Sequence, residues 1–496
     1  MLFAMKKVSK FQERQYVIAL IILLALLLAK FLYPLFLFDL PLGYDPGMYR
    51  YLFVKYAEVS PSLPELRPWA QEYPYGLFLI SSILIKLGVP VSWFLGWIWS
   101  VFAVSVLAVF AWIFAKREGK AVGVLILLAG LLSIAYFDGF AQMYWKTYLA
   151  LLFLIFTFHF FEKKSLWMIP FGALTILSHN QTGLILGLTL IVWWFVHLPT
   201  DWKDKSFRKW TLAFVAVAVL GLVWYAPIFF RAFWAPFKSV LLLRGENAPA
   251  GHFPETVFFL KNGAVLLVLG LFGWVHSFNR EKFSVWLIAP AVCAIFIVFR
   301  LVFYNRFFLQ LDFFLMPFAG IAVVVLWKTR NGFVRGLLIV LILLQAFISF
   351  NQMKRWEPRM IPEELNKILS IRKFVEDDAK IIALENNAAV WLLGWLPEYY
   401  TGGPGLFDFP PWTYAQWESF LYGSNQDRYK MISSIHERPL YLMTSDLFYS
   451  YYGEHVKGFL KDPCFKRVYG APLYRVICSY KETEETEEPK ETEDRI

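Results

Sequence analysis

Long apolar runs constrain the fold of this chain more than any other feature of its sequence. The first run covers residues 16–38 and carries one charged residue, Lys30. A helix needs about 20 apolar residues, at ~1.5 Å rise each, to cross the hydrocarbon core of a bilayer. Because no small-residue cleavage site follows this run, we expect a retained membrane anchor and not a cleaved signal peptide.

The composition agrees with a membrane protein. Of 496 residues, 58% are hydrophobic and 17% are charged, whereas an ordinary soluble domain is roughly 45–50% apolar and about 25% charged. These proportions exclude a soluble enzyme, a disordered chain and a coiled coil, and three cysteines cannot form a disulfide scaffold for this length. The basic residues fall in short clusters between apolar runs, so we expect no nucleic-acid partner.

Eleven apolar runs are interpreted as membrane spans. They cover residues 16–38, 91–115, 120–137, 143–161, 166–179, 182–198, 209–231, 256–277, 283–303, 306–328 and 332–352. The run at 75–88 has 14 residues and includes Lys86, which favours an interfacial or re-entrant helix. With a cytoplasmic N-terminus, the inner loops carry eighteen Lys and Arg residues, and the outer connections 39–74, 138–146, 180–181, 232–255 and 304–306 carry seven. Basic residues are enriched on the cytoplasmic side of membranes, so the sequence predicts a multi-pass cell-membrane protein with its N-terminus in the cytoplasm.

Local composition and the length of the apolar runs divide the chain into three regions. Residues 1–353 form the predicted transmembrane domain, whose first outer loop covers 39–90. Residues 354–480 form a predicted α/β domain with a helix at 363–376 and short strands at 380–384, 440–443, 465–469 and 473–478. Eleven spans from a cytoplasmic start place this second domain outside the cytoplasm. Residues 481–496 contain eight acidic side chains and predict a disordered tail.

Two cysteines lie at equal distances from a predicted hairpin turn. Cys464 and Cys478 flank Ala471 symmetrically and would face each other across the hairpin. The spacing is compatible with a cross-strand disulfide outside the cell or with two reduced thiols in the domain core.

Polar side chains collect at the predicted outer ends of the spans. Asp45 follows the first span, in the segment Gly43-Tyr-Asp-Pro-Gly-Met-Tyr-Arg50. Partial desolvation of its carboxylate there suits a general base. The alternative is a structural role, because Asp before Pro-Gly is a common turn former. Asp138 ends another span. His179 lies in Leu177-Ser-His-Asn-Gln-Thr-Gly183, between two apolar runs. These polar side chains must satisfy one another or bind a ligand.

Basic residues gather at the same end. Arg300, Tyr304 and Arg306 straddle a turn between two spans, and Arg244 lies in the outer loop 232–255. An Arg inside a span costs about 2.5–3.5 kcal/mol on insertion scales, which makes Arg300 a candidate functional residue. Guanidinium groups bind phosphate bidentately, and snorkelling to lipid head groups is the alternative role. Acidic side chains, a histidine and several arginines at one membrane surface fit an enzyme with two substrates. One substrate would be a lipid phosphate, and the other would be polar and extracytoplasmic.

These motifs resemble those of the GT-C class of integral-membrane glycosyltransferases. Asp45-Pro-Gly-Met-Tyr49-Arg50 is similar to the first-loop motif of that class, Tyr73-Pro-Tyr-Gly76 to the proline-containing start of its next helix, and Ser178-His-Asn-Gln-Thr182 to the histidine-bearing turn of prokaryotic, mostly archaeal, members. The chain lacks the Asp-Glu pair of mannosyltransferases and the Trp-Trp-Asp-Tyr-Gly motif of oligosaccharyltransferases. A protein asparagine is therefore disfavoured as the acceptor, and the sugar stays open.

The resemblance implies an α-helical polytopic GT-C-like domain that transfers a sugar, with inversion, from a polyprenyl phosphate (dolichyl phosphate in an archaeon). The acceptor would be an extracytoplasmic glycan, lipid or protein. Asp45 would be the general base, Asp138 would position the acceptor, and His179 would bind the donor; the three could also ligate a divalent ion such as Mg²⁺ or Mn²⁺. The donor phosphate would be bound by Arg300, Arg306, Tyr304 and Arg244. The acceptor cleft would include Tyr49, Arg50, Asn180, Gln181 and Glu255.

Two other classes of membrane protein compete with this interpretation. A flippase or transporter for lipid-linked sugars would show paired broken helices in symmetric halves, and the sequence shows one candidate pair, around His179. A structural membrane protein with an outer binding domain leaves the polar residues at the outer ends unexplained. A membrane glycosyltransferase is therefore the favoured hypothesis.

Overall fold

The computed structural model describes residues 10–71, 73–230, 234, 238, 250–251, 253–280, 283–405, 407–453 and 458–478. The chain divides into two compact units, Met1–Arg359 and Met360–Ile496.

The first unit is helical. Its helices are α1 (Lys10–Leu37), α2 (Pro46–Val59), α3 (Gly76–Lys86), α4 (Trp97–Glu118), α5 (Lys120–Leu132), α6 (Ile134–Ala141), α7 (Trp145–Glu162), α8 (Met168–Ser178), α9 (Asn180–Asp201), α10 (Lys205–Leu222), α11 (Thr256–Asn262), α12 (Ala264–Phe278), α13 (Val285–Val298), α14 (Phe307–Lys328) and α15 (Gly332–Met353). Short 3₁₀ turns lie at Pro68–Ala70, Val91–Leu95, Val223–Ile228 and Tyr304–Arg306.

Six helices in the described part of the chain are long and apolar enough to cross a membrane, namely α1, α4, α9, α10, α14 and α15. Two bent pairs, α5 with α6 (56°) and α11 with α12 (89°), raise that number to eight if each pair is one span. Every predicted span contains a helix, but α8 and α13 have 11 and 14 residues. The helices support a multi-pass membrane protein, and the number of eleven spans stays a prediction.

Small residues allow close packing between helices of this unit. Gly273 in α12 lies against the backbone of α14, so that a Cβ placed there would be 1.8 Å from the carbonyl oxygen of Phe318. Gly130 in α5 packs on a side chain of α4, where a Cβ would be 2.5 Å from Leu107 Cδ1. Glycine at helix contacts is typical of membrane bundles, because packing replaces the hydrophobic driving force that lipid does not supply.

The second unit combines a five-stranded sheet with helices. The strands are β1 (Lys380–Ala383), β2 (Tyr400–Gly402), β3 (Leu440–Met443), β4 (Phe465–Val468) and β5 (Leu473–Val476), in the order β2-β1-β3-β5-β4. β1 pairs in parallel with β2 and β3, whereas β5 pairs antiparallel with β3 and β4. The helices are α16 (Pro362–Ser370), α17 (Asn386–Trp395), α18 (Tyr414–Tyr422), α19 (Asn425–Ser433) and α20 (Asp446–Tyr452).

The strands predicted in this region agree with the structure, with one addition. β1, β3, β4 and β5 fall at the predicted positions, whereas β2 was not predicted. The predicted helix at 363–376 ends at Ser370 and continues as a 3₁₀ turn, Ile371–Lys373. Cys464 and Cys478 form a disulfide across the β4–β5 hairpin, with their Cα atoms 4.8 Å apart. The disulfide, and not the pair of free thiols, is therefore the correct alternative.

Candidate active site

Asp45 lies at the start of α2, in the loop that follows the first membrane helix. Pro46 occupies the first helical position, where its missing N–H removes no hydrogen bond. The carbonyl oxygen of Asp45 accepts the backbone N–H of Tyr49 at 3.1 Å, but the carboxylate does not cap the helix. Met48 and Leu52 are buried and fix the helix in place. The Asp45 carboxylate is thus held at a defined, half-buried position.

Two tyrosines and a lysine surround this carboxylate. The buried Tyr49 hydroxyl donates to the carbonyl oxygen of Met143 at 2.7 Å. The ammonium of Lys146, at the start of α7, lies 3.8 Å from the ring centroid of Tyr73 and 5.6 Å from that of Tyr49. Burial raises the pKa of both phenols, and the Asp45 carboxylate raises the pKa of each further. Both phenols are therefore protonated hydrogen-bond donors at neutral pH.

Arg306, in the 3₁₀ turn before α14, also interacts electrostatically with Tyr49 and Tyr73. Its guanidinium carbon lies 5.7 Å from the ring centroid of Tyr144 and 5.1 Å from that of Phe303. Gly251 packs on the Arg306 side chain, and a Cβ there would lie 3.1 Å from Arg306 Nε. That Nε is buried and has no hydrogen-bond partner among the described residues. A buried guanidinium N–H that lacks an acceptor favours an anionic ligand at this position.

His179 occupies the break between α8 and α9. Its Nδ1 accepts the backbone N–H of Thr182 at 3.3 Å and lies 2.9 Å from the Thr182 hydroxyl, so the ring caps α9. Because Nδ1 is an acceptor, the hydrogen-bond pattern assigns the neutral ring's proton to Nε2, which lies 3.5 Å from Thr147 Oγ1. The position next to Thr147 brings the imidazole to the start of α7, beside Lys146.

Lys146 connects these residues electrostatically. Its charge interacts with those of Asp45 and Arg306, and the His179 ring interacts with Lys146 and Arg306. We call Asp45, Lys146, His179 and Arg306, with Tyr49 and Tyr73, the Lys146 cluster. Three of its members, Asp45, His179 and Arg306, were predicted separately from three distant parts of the sequence. Lys146 was not singled out, since one lysine at the start of an apolar run resembles an ordinary loop charge.

Asp138 belongs to a different buried cluster. Its carboxylate accepts the indole N–H of Trp356 at 2.8 Å, and its charge interacts with Lys30 and Arg355. The ammonium of Lys30 donates to the carbonyl oxygens of Leu131 (2.7 Å) and Ser133 (3.0 Å) and to the Ser349 hydroxyl (3.1 Å). The Ser133 hydroxyl in turn donates to Asp312 at 2.5 Å. These contacts support a packing role for Asp138, distinct from the predicted one in acceptor positioning.

Replacing Trp356 with Phe is expected to destabilise the first unit, because the buried Asp138 carboxylate loses its indole donor. Loss of a partner to a buried polar group costs about 1–3 kcal/mol. The apparent melting temperature of the purified protein, measured by intrinsic fluorescence, should fall. Trp167→Phe, at a position 64% exposed, is the matched control and should leave it unchanged. Additive effects of Trp356→Phe and Asp138→Asn would contradict the pairing.

The other predicted site residues lie in several places. Arg300 lies two residues beyond α13, has a positive φ of 46° and is exposed, and Glu255 is exposed at the start of α11. Tyr304 and Arg50 are half-buried, and Arg244 lies outside the described residues. Asn180 and Gln181 form the first turn of α9 beside His179, and the buried Gln181 Nε2 has no hydrogen-bond partner among the described residues.

The metal-binding group suggested by the sequence does not form. Among the described residues, no three His, Cys, Asp or Glu side chains converge closely enough to hold an ion. Asp138 is separated from Asp45 and His179 because it packs against Trp356 and faces Lys30. The structure therefore does not gather Asp45, Asp138 and His179 into one ligand set, and a divalent ion at these residues stays a prediction.

The arrangement of helices matches those of solved membrane glycosyltransferases. The oligosaccharyltransferase of Archaeoglobus fulgidus in its apo form shares 12% identity over 88% of this chain and 70% of its own, with a TM-score of 0.61. ArnT from Cupriavidus metallidurans matches in its apo state (12% identity, TM-score 0.53, 89% of this chain and 94% of its own). The ArnT structure bound to undecaprenyl phosphate matches with 11% identity and a TM-score of 0.56, over 94% and 98% of the two chains. The chain has the GT-C fold.

No family model matches the sequence, and a search of curated proteins finds no significant match. At 11–12% identity the likeness in structure establishes the fold alone. Within this GT-C fold, the Lys146 cluster joins α2, the 3₁₀ turn before α14 and the starts of α7 and α9. The cluster holds one carboxylate, two basic side chains and a neutral imidazole, a set able to accept a proton and to bind an anion.

Proposed function

We propose that the chain is a membrane glycosyltransferase that moves a sugar from a polyprenyl-phosphate donor to an extracytoplasmic acceptor. The observation that carries the proposal is the convergence of Asp45, Lys146 and Arg306 in a chain with the GT-C fold. One carboxylate beside two cations suits a reaction that removes a proton from one substrate and leaves negative charge on the other. The structurally similar ArnT, which was solved with bound undecaprenyl phosphate, supports a lipid phosphate as the class of donor.

Arg306 and Lys146 are the proposed binding groups for the donor phosphate. As the bond between the anomeric carbon and the phosphate oxygen breaks, the electron pair remains on the phosphate and its negative charge grows. Cations fixed in advance at that point stabilise the transition state more than the ground state. The unpartnered Arg306 Nε supplies a donor for this charge, and Lys146, held over the Tyr73 ring, supplies a second cation.

Asp45 is the proposed general base. The acceptor hydroxyl transfers its proton to the Asp45 carboxylate while its oxygen forms the new bond to the anomeric carbon. A single in-line displacement of this kind inverts the anomeric centre. General-base catalysis of such a step is worth typically 10²–10⁴-fold in rate. Because the Asp45 carboxylate does not serve as a helix cap, its protonation would leave the start of α2 intact.

His179 and its neighbours are proposed to line the substrate cleft. The neutral Nε2–H of His179 and the amide of Gln181 are donors suited to sugar hydroxyls. We propose that this cleft opens on the extracytoplasmic side, with the N-terminus in the cytoplasm, as the distribution of Lys and Arg between the loops predicts. The second unit then also lies outside the cytoplasm.

A transfer assay tests this function. The purified protein in detergent is incubated with polyprenyl-phosphate-linked hexoses and pentoses and a mixture of membrane glycolipid, glycan and protein extracts. Mass spectrometry should detect lipid phosphate released in proportion to sugar transferred. A flippase binds the donor without forming product. Tight donor binding without product from any donor and acceptor pair would therefore support the flippase and contradict the transferase.

A further inference from the structure

The carboxyl ends of the parallel strands in the second unit form an edge suited to a ligand. The chain passes from β1 to β2 on one side and then returns to β3 on the other side of β1. In α/β sheets, ligands bind where neighbouring strand connections leave in opposite directions. Glu385 follows β1 at this point, and Ser445 follows β3.

The helix starts at this edge are already occupied by acidic and hydroxyl side chains. The carboxylate of Glu385 accepts the backbone N–H groups of Asn387 and Ala388, the latter at 2.9 Å. Ser445 accepts the N–H of Phe448 at 2.9 Å, and Glu364 accepts the N–H of Asp446 at 2.8 Å. An incoming phosphate would meet carboxylates in place of free N–H groups, so the edge disfavours an anionic ligand.

Four tyrosines lie next to this edge and form what we call the tyrosine surface: Tyr414, Tyr422, Tyr451 and Tyr452. Tyr414 and Tyr451 are 79% and 78% exposed, and Tyr422 is 55% exposed. The Tyr452 ring lies 6.2 Å from Tyr422, 5.1 Å from Tyr451 and 5.2 Å from the core residue Phe448, centroid to centroid. Tyr452 interacts electrostatically with Glu385 and Tyr414, which joins the tyrosines to the strand edge.

Exposed aromatic rings held side by side mark a binding surface, because such apolar area is otherwise costly to leave in water. Tyrosine offers a flat apolar face and a hydroxyl, which together match a pyranose ring with its C–H face and hydroxyl rim. Tyrosines at a membrane surface usually accompany Lys and Arg. Here the largest interactions of Tyr414 and Tyr452 with carboxylates of the described residues are with Glu418 and Glu385, respectively. The charge therefore favours a neutral carbohydrate over anionic lipid.

We propose that the tyrosine surface, together with the Glu385 edge, is a binding site for neutral oligosaccharides. Tyr414 and Tyr451 supply the stacking faces, and Glu385 and the phenol groups accept and donate hydrogen bonds to sugar hydroxyls. The residues of this site belong to the second unit, whereas those of the Lys146 cluster belong to the first. Its existence does not depend on transfer activity in the first unit.

The test uses the full-length protein in lipid nanodiscs. An array of neutral gluco-, manno-, galacto- and N-acetylglucosamine oligosaccharides identifies the tightest glycan, whose affinity is then measured by biolayer interferometry. The double variant Tyr414→Ala/Tyr451→Ala should bind about tenfold more weakly, whereas Tyr414→Phe/Tyr451→Phe should stay within about threefold because stacking is kept. Tyr469→Ala is the matched control, since Tyr469 is 87% exposed at the β4–β5 turn, and it should bind like the native chain.

Three outcomes would overturn the proposal. The native chain could bind no glycan on the array, or Tyr469→Ala could lose as much affinity as the double alanine variant. In the third, an environment-sensitive fluorophore attached at Tyr451→Cys would be quenched by spin-labelled lipids in the nanodisc, which would assign the surface to the membrane. Because binding is measured without turnover, failure of the transferase proposal would leave these results unchanged.

Discussion

Asp45→Asn is expected to reduce the rate of sugar transfer by about 10²–10⁴-fold, because an amide of the same shape cannot accept the acceptor proton. The substitution preserves the size of the side chain at the start of α2, and the carboxylate does not cap that helix. Folding and donor binding should therefore change little. Single-turnover transfer with saturating donor measures the chemical step directly, and a binding titration with the lipid-linked sugar measures the affinity.

Asp39→Asn is the matched control for this experiment. Asp39 is an exposed carboxylate in the same loop, so its removal changes the charge of the loop by the same amount. It should leave transfer unchanged. Native-like turnover by Asp45→Asn would remove the general-base assignment, and an equal loss in both variants would point to loop charge in place of proton transfer.

Arg306→Ala should weaken donor binding by about 10- to 100-fold, since a hydrogen bond between charged groups contributes about 1.5–3 kcal/mol. Two observations support the proposal that this side chain binds the phosphate: its buried Nε has no acceptor among the described residues, and its guanidinium lies beside Tyr144. Arg306→Lys should recover part of the affinity but not the planar, two-point contact. Equilibrium binding of a polyprenyl phosphate without its sugar isolates the phosphate contribution.

Arg330→Ala controls for loss of a positive charge. Arg330 lies just beyond the opposite end of α14 and is exposed. Its replacement should leave lipid-phosphate affinity at the native value. Unchanged affinity in Arg306→Ala would contradict the proposed clamp, and Lys146→Ala would then show whether the lysine alone holds the phosphate.

Apolar length and periodicity predicted most of the helical unit, because a span must hold its hydrogen bonds within itself. They did not predict the bends after Leu132 and at Gly263, where helices turn by 56° and 89° inside single apolar runs. Hydropathy averages over a window and does not register where the direction of the chain changes. Strand β2 was missed for a related reason, as its three residues include Thr401-Gly402, which resemble a turn.

The candidate site was predictable in part. Asp45, His179 and Arg306 interrupt apolar sequence with polar chemistry, and the structure places all three around Lys146. Asp138 also interrupts apolar sequence with a polar group, but it lies in another cluster. The sequence indicates how deep a residue lies in the membrane. It does not indicate in which direction around the helix bundle the side chain points. The lysine that connects the site could be recognised only once α2 and α7 were seen together.

The buried Lys30 has a consequence for how the protein is assembled. Its ammonium belongs to the first helix to be synthesised, yet one of its acceptors, the Ser349 hydroxyl, belongs to the last helix of the first unit. During translation the amine can reach its two carbonyl acceptors, Leu131 and Ser133, once α5 has been made, but its set of three acceptors is complete only when Ser349 follows. Completion of the bundle is thereby tied to arrival of α15, so that truncated chains should be recognised as unfinished by membrane quality control.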